Sequence, residues 1–221
     1  MLKLSIMKKI IIFSILFVLF TGCALFRKDP TISDIKLSGV PLNEKKEIID
    51  ATEQLANIRI ELQNCNQDIK EEESKIDIAK ADLDIAKNLF DRAKSEFDLA
   101  KSRDISSEVV AKGKKVSEAE YRVKIAEKKL ELEKERLVFL KKKSTALLKK
   151  KEWAMSVLEY VKAKVAYKYE ELSPEEKSLQ LKNFEVVVVD KKLSRVKAEK
   201  ELAEENINFV KIQQEYNELT K

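Results

Sequence analysis

Residues 76–100, IDIAKADLDIAKNLFDRAKSEFDLA, decide the fold. Ile76, Leu83, Phe90 and Phe97 recur at every seventh position, and an alanine follows each by three: Ala79, Ala86, Ala93 and Ala100. Apolar residues alternating at three and four positions form the a/d seam of a helical coiled coil. One row of this seam is large and the other small. Towards the amino terminus the large row continues through Ile69, Leu62 and Leu55 to Ile48. The second row continues through Glu72, Cys65 and Ile58 to Ala51. Towards the carboxy terminus the pattern lapses at Ser102–Ser107 and then resumes. Val109, Val116, Val123, Leu130 and Leu137 form one row, taken up again at Leu158, Val165 and Leu172. Ala119, Ala126, Leu140, Leu147, Ala154 and Val161 form the other. Two antiparallel helices folded back on each other are expected. A turn centred between Asp104 and Ile105 sets Leu83 opposite Ala126, Val123 opposite Ala86, Leu55 opposite Ala154 and Leu158 opposite Ala51. Large faces small in successive layers, which permits close packing and fixes register.

Glu72, Lys112, Glu133, Ser144 and Lys151 interrupt the seam, and their long side chains are expected to snorkel out of it. Cys65 reads as a small, inert, buried hydrophobe. The second helix carries another heptad stripe, Ile125, Leu132, Phe139, Ala146, Trp153, Tyr160 and Tyr167, on a different face. A helix with two apolar stripes takes two partners. Ser173-Pro174-Glu175-Glu176 announces the second partner: it is a capping box with proline at the first helical position. Leu179, Val186, Val189, Leu193, Val196, Ala203, Ile207 and Val210 keep a heptad rhythm beyond it and are expected to face the second helix. The expected fold is all-α: an elongated antiparallel coiled-coil hairpin with a third helix packed on its base. That is a three-helix bundle with a projecting two-helix tip at about 84–125. The helices are expected at about 44–101, 107–172 and 174–220, with Asn43 as the first cap. A base that satisfies its own seams favours a monomer.

Composition agrees. The 221 residues include 38% charged side chains, three Gly, three Pro and no His, the profile of long helices. Without histidine the commonest general base and metal ligand is missing. There is no phosphate-cradling glycine loop or nucleophile elbow, and the two cysteines form no metal-binding spacing. The chain therefore reads as non-enzymatic, with no catalytic or metal-ligating residues and no cofactor or small-molecule substrate. If Lys3, Lys8 and Lys9 are removed with a leader, 44 basic side chains fall to 41 against 39 acidic. A balanced, interspersed charge gives no reason to invoke nucleic acid.

The amino terminus carries the clearest motif. Met1–Lys9 is basic and Ile10–Phe20 is an apolar run interrupted only by Ser14, of signal-peptide length and short for a membrane span. Leu19-Phe20-Thr21-Gly22-Cys23 follows. This resembles the lipobox of bacterial lipoproteins, with Phe20 standing where leucine is usual. The resemblance implies a signal peptide over residues 1–22, cleavage before Cys23, and a covalent lipid on Cys23. Ala24 after the cysteine implies sorting to the outer membrane by that family's rule. Residues 23–43 lack sustained periodicity and read as a lipidated tether, ahead of a helical domain over 44–221.

At the hairpin turn, Leu99-Ala-Lys-Ser102-Arg103-Asp-Ile105-Ser106 is similar to the tip of periplasmic adaptor (membrane-fusion) proteins. In those proteins an Arg, a Leu and a Ser at set spacing dock on an outer-membrane channel. Leu99 and Ser106 match, Ile105 fits, and Ser95 stands in place of the Arg. The β domains that flank such hairpins are absent. The resemblance implies partner docking at Leu99, Ser102, Arg103, Ile105 and Ser106. Lys221 is the residue type through which the murein lipoprotein family joins peptidoglycan, a likeness of a single residue. Together these readings lead to the expectation of a lipid-anchored cell-envelope protein. It would be a spacer, scaffold or docking rod whose partners are the membrane and another envelope protein. A surface lipoprotein binding extracellular ligands is the alternative.

Overall fold

The computed structural model describes residues 29–103 and 106–221. The fold is all-α. Two short 3₁₀ turns, Asp34–Leu37 and Leu42–Lys45, precede helices α1 (Lys46–Ser102), α2 (Ser106–Ala166) and α3 (Pro174–Leu219). At 1.5 Å per residue, the 57 residues of α1 and the 61 of α2 form rods of roughly 85–90 Å. No helix among the described residues is long and apolar enough to cross a membrane.

The α1–α2 seam is the expected one. Leu83 and Ala86 cluster with Val123, Ala126 and Leu130. Nearer the base, Ala51, Leu55 and Ile58 cluster with Ala154 and Leu158. The alanine row allows the two backbones to approach, so bulky residues fill space that facing alanines leave. Cross-helix ion pairs follow the same register: Lys112–Glu96 at 2.6 Å, Lys129–Asp82 at 2.9 Å and Lys150–Glu61 at 3.1 Å. Cys65 is buried and free, and its thiol donates to the Leu140 carbonyl at 3.5 Å.

The second stripe of α2 receives α3. Phe139 stacks on Phe209 with centroids 5.6 Å apart, and the Arg195 guanidinium lies 4.3 Å from the Trp153 ring centre. Lys128–Glu215 and Lys142–Glu201 bridge the same pair of helices. Two residues separate the stripes of α2 in the heptad, about 200° around the helix axis. Its partners therefore sit on opposite sides, α1 and α3 barely touch, and the three helices form a layer with α2 in the middle. The Tyr121 hydroxyl reaches the Leu219 carbonyl, and the Lys128–Glu215 pair sets the end of α3 near the level of Ile125. The free tip beyond this level is about 20 residues per arm, or ~30 Å.

The capping box is present: Glu176 N–H donates to Ser173 Oγ at 3.2 Å and Ser173 N–H to Glu176 Oε2 at 2.9 Å. The β-branched run Val186–Val189 is helical.

Five expectations need correction. Asn43 does not cap α1. It lies within the second 3₁₀ turn, whose path follows from Pro41, and α1 begins at Lys46. α2 ends at Ala166 rather than near 172, because the chain needs the intervening turn to reverse into the Ser173 cap. Glu72 does not snorkel. It is 1% exposed, held by Arg136 at 3.2 Å and Lys75 at 3.3 Å. Close backbone approach at the alanine seam leaves no exit for a carboxylate on so short a stem, so the cations reach in to it.

The described part of the stretch expected to be a tether is packed. Ile32, Leu37 and Val40 are buried with Ala163, Val165, Ala166, Tyr167 and Phe184. Ion pairs Lys36–Glu170 and Lys162–Asp34 and a hydrogen bond from Ile32 N–H to Glu159 reinforce that contact. Burial of three aliphatic side chains outweighs the missing periodicity. Finally, α3 is rotated. Leu181, Phe184, Val188, Arg195, Ala198, Leu202, Phe209 and Ile212 lie on the face towards α2, and Phe184 and Ala198 are buried there. Leu179, Val186, Val189, Leu193, Val196, Ile207 and Val210 are all exposed.

Candidate functional site

The hairpin tip is where the sequence places partner docking. Phe97 closes the seam there, packed towards Gly113, where an added Cβ would come within 3.3 Å of the Phe97 ring edge. Lys101 caps the other side of the ring, its ammonium 4.3 Å from the ring centre. Ala100 is buried between the helices. One level down, Glu96 receives Lys112 from α2 and Arg92 from its own helix. The hydrogen bonds from Lys112 and then Arg92 hold the Glu96 carboxyl below the usual carboxylate range. These contacts tie the last turns of α1 to the first turns of α2.

The end of α1 is closed by its own polar groups. Ser102 Oγ donates to the Leu99 carbonyl at 2.7 Å, and Arg103 N–H to the Ala100 carbonyl at 3.2 Å. Ser102, Arg103 and Ser106 are exposed beside the turn, and Leu99 is 52% exposed on the outer face. Ile105 lies outside the described residues, as does Cys23, the residue expected to carry the lipid. A shallow cavity of about 330 Å³ is lined by Glu96, Leu99, Ala100, Arg103, Glu108 and Lys112. Among the described residues the tip combines exposed Leu99 and Val110 with charges of both signs, and the end of α1 is closed by its own hydrogen bonds. Among the described residues no nucleophile–base pair stands here.

Sequence reasoning missed two contributors to this geometry, the Glu96–Lys112 pair and the Phe97–Gly113 contact. Gly113 was legible as an unusual glycine inside a heptad helix, but its partner required the register.

Elsewhere, the buried Glu72 faces Glu133 across the seam. Burial, then the hydrogen bond and negative charge of Glu72, push the Glu133 carboxyl above its usual range. At the base a cavity of about 140 Å³ is lined by Pro30, Thr31, Met155, Phe184, Val187 and Lys191. It sits under the packed amino-terminal segment and is mostly apolar. Burial raises the thiol pKa of Cys65, which disfavours the reactive thiolate. Among the described residues no group of three His, Cys, Asp or Glu side chains could hold a metal ion.

Neither a protein-family model, nor a characterised protein, nor a solved structure matches this chain.

Proposed function

We propose that this chain is a non-enzymatic, lipid-anchored protein of the bacterial cell envelope, held in the outer membrane through Cys23 and working as a spacer or protein-docking rod. The observation that carries the reading is the pairing of the lipobox-like Leu19–Cys23 with a rod whose first described residues are fastened at its base. Only five residues separate Cys23 from Asp29, a reach of about 20 Å at most. The base therefore stays near the membrane surface. The tip stands at the other end of a helix of about 85 Å. An elongated, stiff body with an anchor at one end and a hairpin tip at the other is suited to spanning a distance and presenting Leu99, Ser102, Arg103 and Ser106 to another envelope protein. Balanced charge and the lack of histidine support a role without catalysis, cofactor or nucleic acid. An outward-facing lipoprotein that binds extracellular ligands is the second reading, and it differs in the leaflet that carries the anchor.

The test has two stages. Cys23→Ala should abolish incorporation of labelled fatty acid into the protein. Photocrosslinking probes at Ser102, Arg103 and Ser106 in living cells should then give adducts with an envelope protein, an outer-membrane channel being the adaptor-like outcome. Continued labelling of Cys23→Ala would overturn the anchor. Absence of tip adducts, with protease access on intact cells, would overturn the docking rod in favour of the outward-facing lipoprotein.

A further inference from the structure

α3 has the pattern of a helix with two neighbours, and the chain gives it one. Its inner stripe, Leu181, Phe184, Val188, Arg195, Ala198, Leu202 and Phe209, meets α2. Its outer stripe, Leu179, Val186, Val189, Leu193, Val196, Ala203, Ile207 and Val210, is displaced by two residues in the heptad. That is about 200° around the axis, the relation that joins the two seams of α2. The seven larger members of the outer stripe are 39–69% exposed. The run extends over 32 residues, or ~48 Å. Isolated exposed leucines are ordinary, but eight aliphatic side chains at heptad spacing along one helix, interrupted by Lys182 and Lys200, mark an interaction surface. The apolar area is on the order of the roughly 800 Å² per partner that a standard interface buries, once the flanking side chains are included.

The charges beside the stripe identify the occupant. With Leu179, Val186 and Leu193 as a positions, and Val189, Val196 and Ala203 as d positions, the flanks are Glu185, Lys192 and Glu199 on one side. Asp190, Lys197 and Glu204 lie on the other. A parallel pairing of two copies would set Glu185 against Asp190, Lys192 against Lys197 and Glu199 against Glu204, like charges at every charged pair. An antiparallel pairing with its two-fold axis between Ser194 and Arg195 does the opposite. Asp190 then meets Lys197 of the second copy, and Lys192 meets Glu199, each twice by symmetry. The same register stacks Leu193 on Val196, Val186 on Ala203 and Leu179 on Val210. Lys200 and Lys182 fall opposite Val189 and Ile207, where their stems can lie along the seam and their ammonium groups reach water. A slip of one heptad either way sets Lys192 or Lys197 against its own copy, so the flanks select one register.

We infer that α3 docks on α3 of a second copy of this chain, antiparallel and centred at Ser194–Arg195, extending the three-helix layer into a six-helix layer with α1 and its copy at the two edges. The interface is isologous, as a two-fold requires. It leaves both tips free but sets the two bases at opposite ends, about 60 Å apart along the axis, so two copies anchored in one membrane would pair with their rods lying along its surface rather than standing on it.

The experiment uses two differently tagged full-length copies in the same cells, one with Val186→Cys and the other with Ala203→Cys, and a short bis-maleimide. The mixed adduct should dominate, because in the antiparallel register Val186 lies beside Ala203 of the other copy and ~25 Å from that copy's Val186. Adding Asp190→Lys to both copies should lower the mixed adduct several-fold, and adding Lys197→Asp to both as well should restore it. All these positions are on the outer flank of a helix held by its other face, so folding is retained; unchanged helix content by circular dichroism verifies it. A dominant Val186→Cys homotypic adduct would mean a parallel pairing and overturn the inference. So would adducts of these cysteines with a different protein in place of the mixed adduct, no mixed adduct at all, or an adduct indifferent to the charge exchange.

Discussion

Substitution of Ala86 by leucine tests the physical basis of the rod. Ala86 is 8% exposed and packs in one layer with Leu83, Val123, Ala126 and Leu130. Its methyl group faces Val123 because the seam alternates large against small. Leucine adds three carbon atoms where the facing position is already filled. Overpacking of this kind costs about 1–3 kcal/mol through off-rotamer side chains and backbone shift. For a chain of this size each kcal/mol lowers Tm by roughly 2–4 °C, so Ala86→Leu should lower it by ~2–12 °C. The layer also specifies a compensation. Val123→Ala alone removes two methyl groups and leaves a cavity. Combined with Ala86→Leu, it exchanges the large and small sides of the layer and should recover most of the loss. Thermal unfolding followed by circular dichroism on all four proteins of the cycle supplies the coupling energy. Additive losses in the double variant, or an unchanged Tm in Ala86→Leu, would refute the large-against-small register.

Other expectations follow from particular contacts. Leu37→Ala should destabilise the base by about 2–5 kcal/mol as a buried core truncation, measured by urea unfolding; a flexible tether would give no change. Ser173→Ala removes the acceptor for Glu176 N–H and should cost on the order of 1 kcal/mol, visible as increased amide exchange in the first turn of α3. Glu133→Gln should stabilise the rod at neutral pH, since the folded state holds that carboxyl's pKa above its usual value. The native contribution of Glu133 is fully present below the ordinary glutamate pKa, ~4.3, and is lost as pH rises through the raised folded value. The advantage of glutamine should accordingly disappear in acid. Melting of both proteins across that range checks it, and a constant difference would show that burial and Glu72 do not raise the Glu133 pKa in the folded state.

The heptad from Ile48 to Ala100, its return in α2 and the capping box at Ser173 determined the helices, the hairpin and its register without any coordinates. They could do so because a local periodicity of 3.5 residues encodes which face of a helix is apolar, and an alanine row encodes how close its partner lies. The candidate tip was legible in the same way, as the lapse between two seams. What lay beyond reach was the choice between surfaces of equal periodicity. α3 carries two heptad stripes. The more aliphatic one, Leu179 to Val210, attracts a reading from sequence because the other is broken by Lys191, Arg195 and Glu205. Only packing shows that Arg195 lies on Trp153, that Lys191 pairs with Asp29, and that Phe209 stacks on Phe139. These partners turn an apparently polar face inward. Ile32, Leu37 and Val40 were opaque for a related reason: their burial depends on a surface made by the ends of α2 and α3, more than a hundred residues away. Sequence determines the period of a buried face. Tertiary structure decides which of two such faces finds a partner within the chain, because that depends on the summed contacts of distant residues rather than on any local repeat.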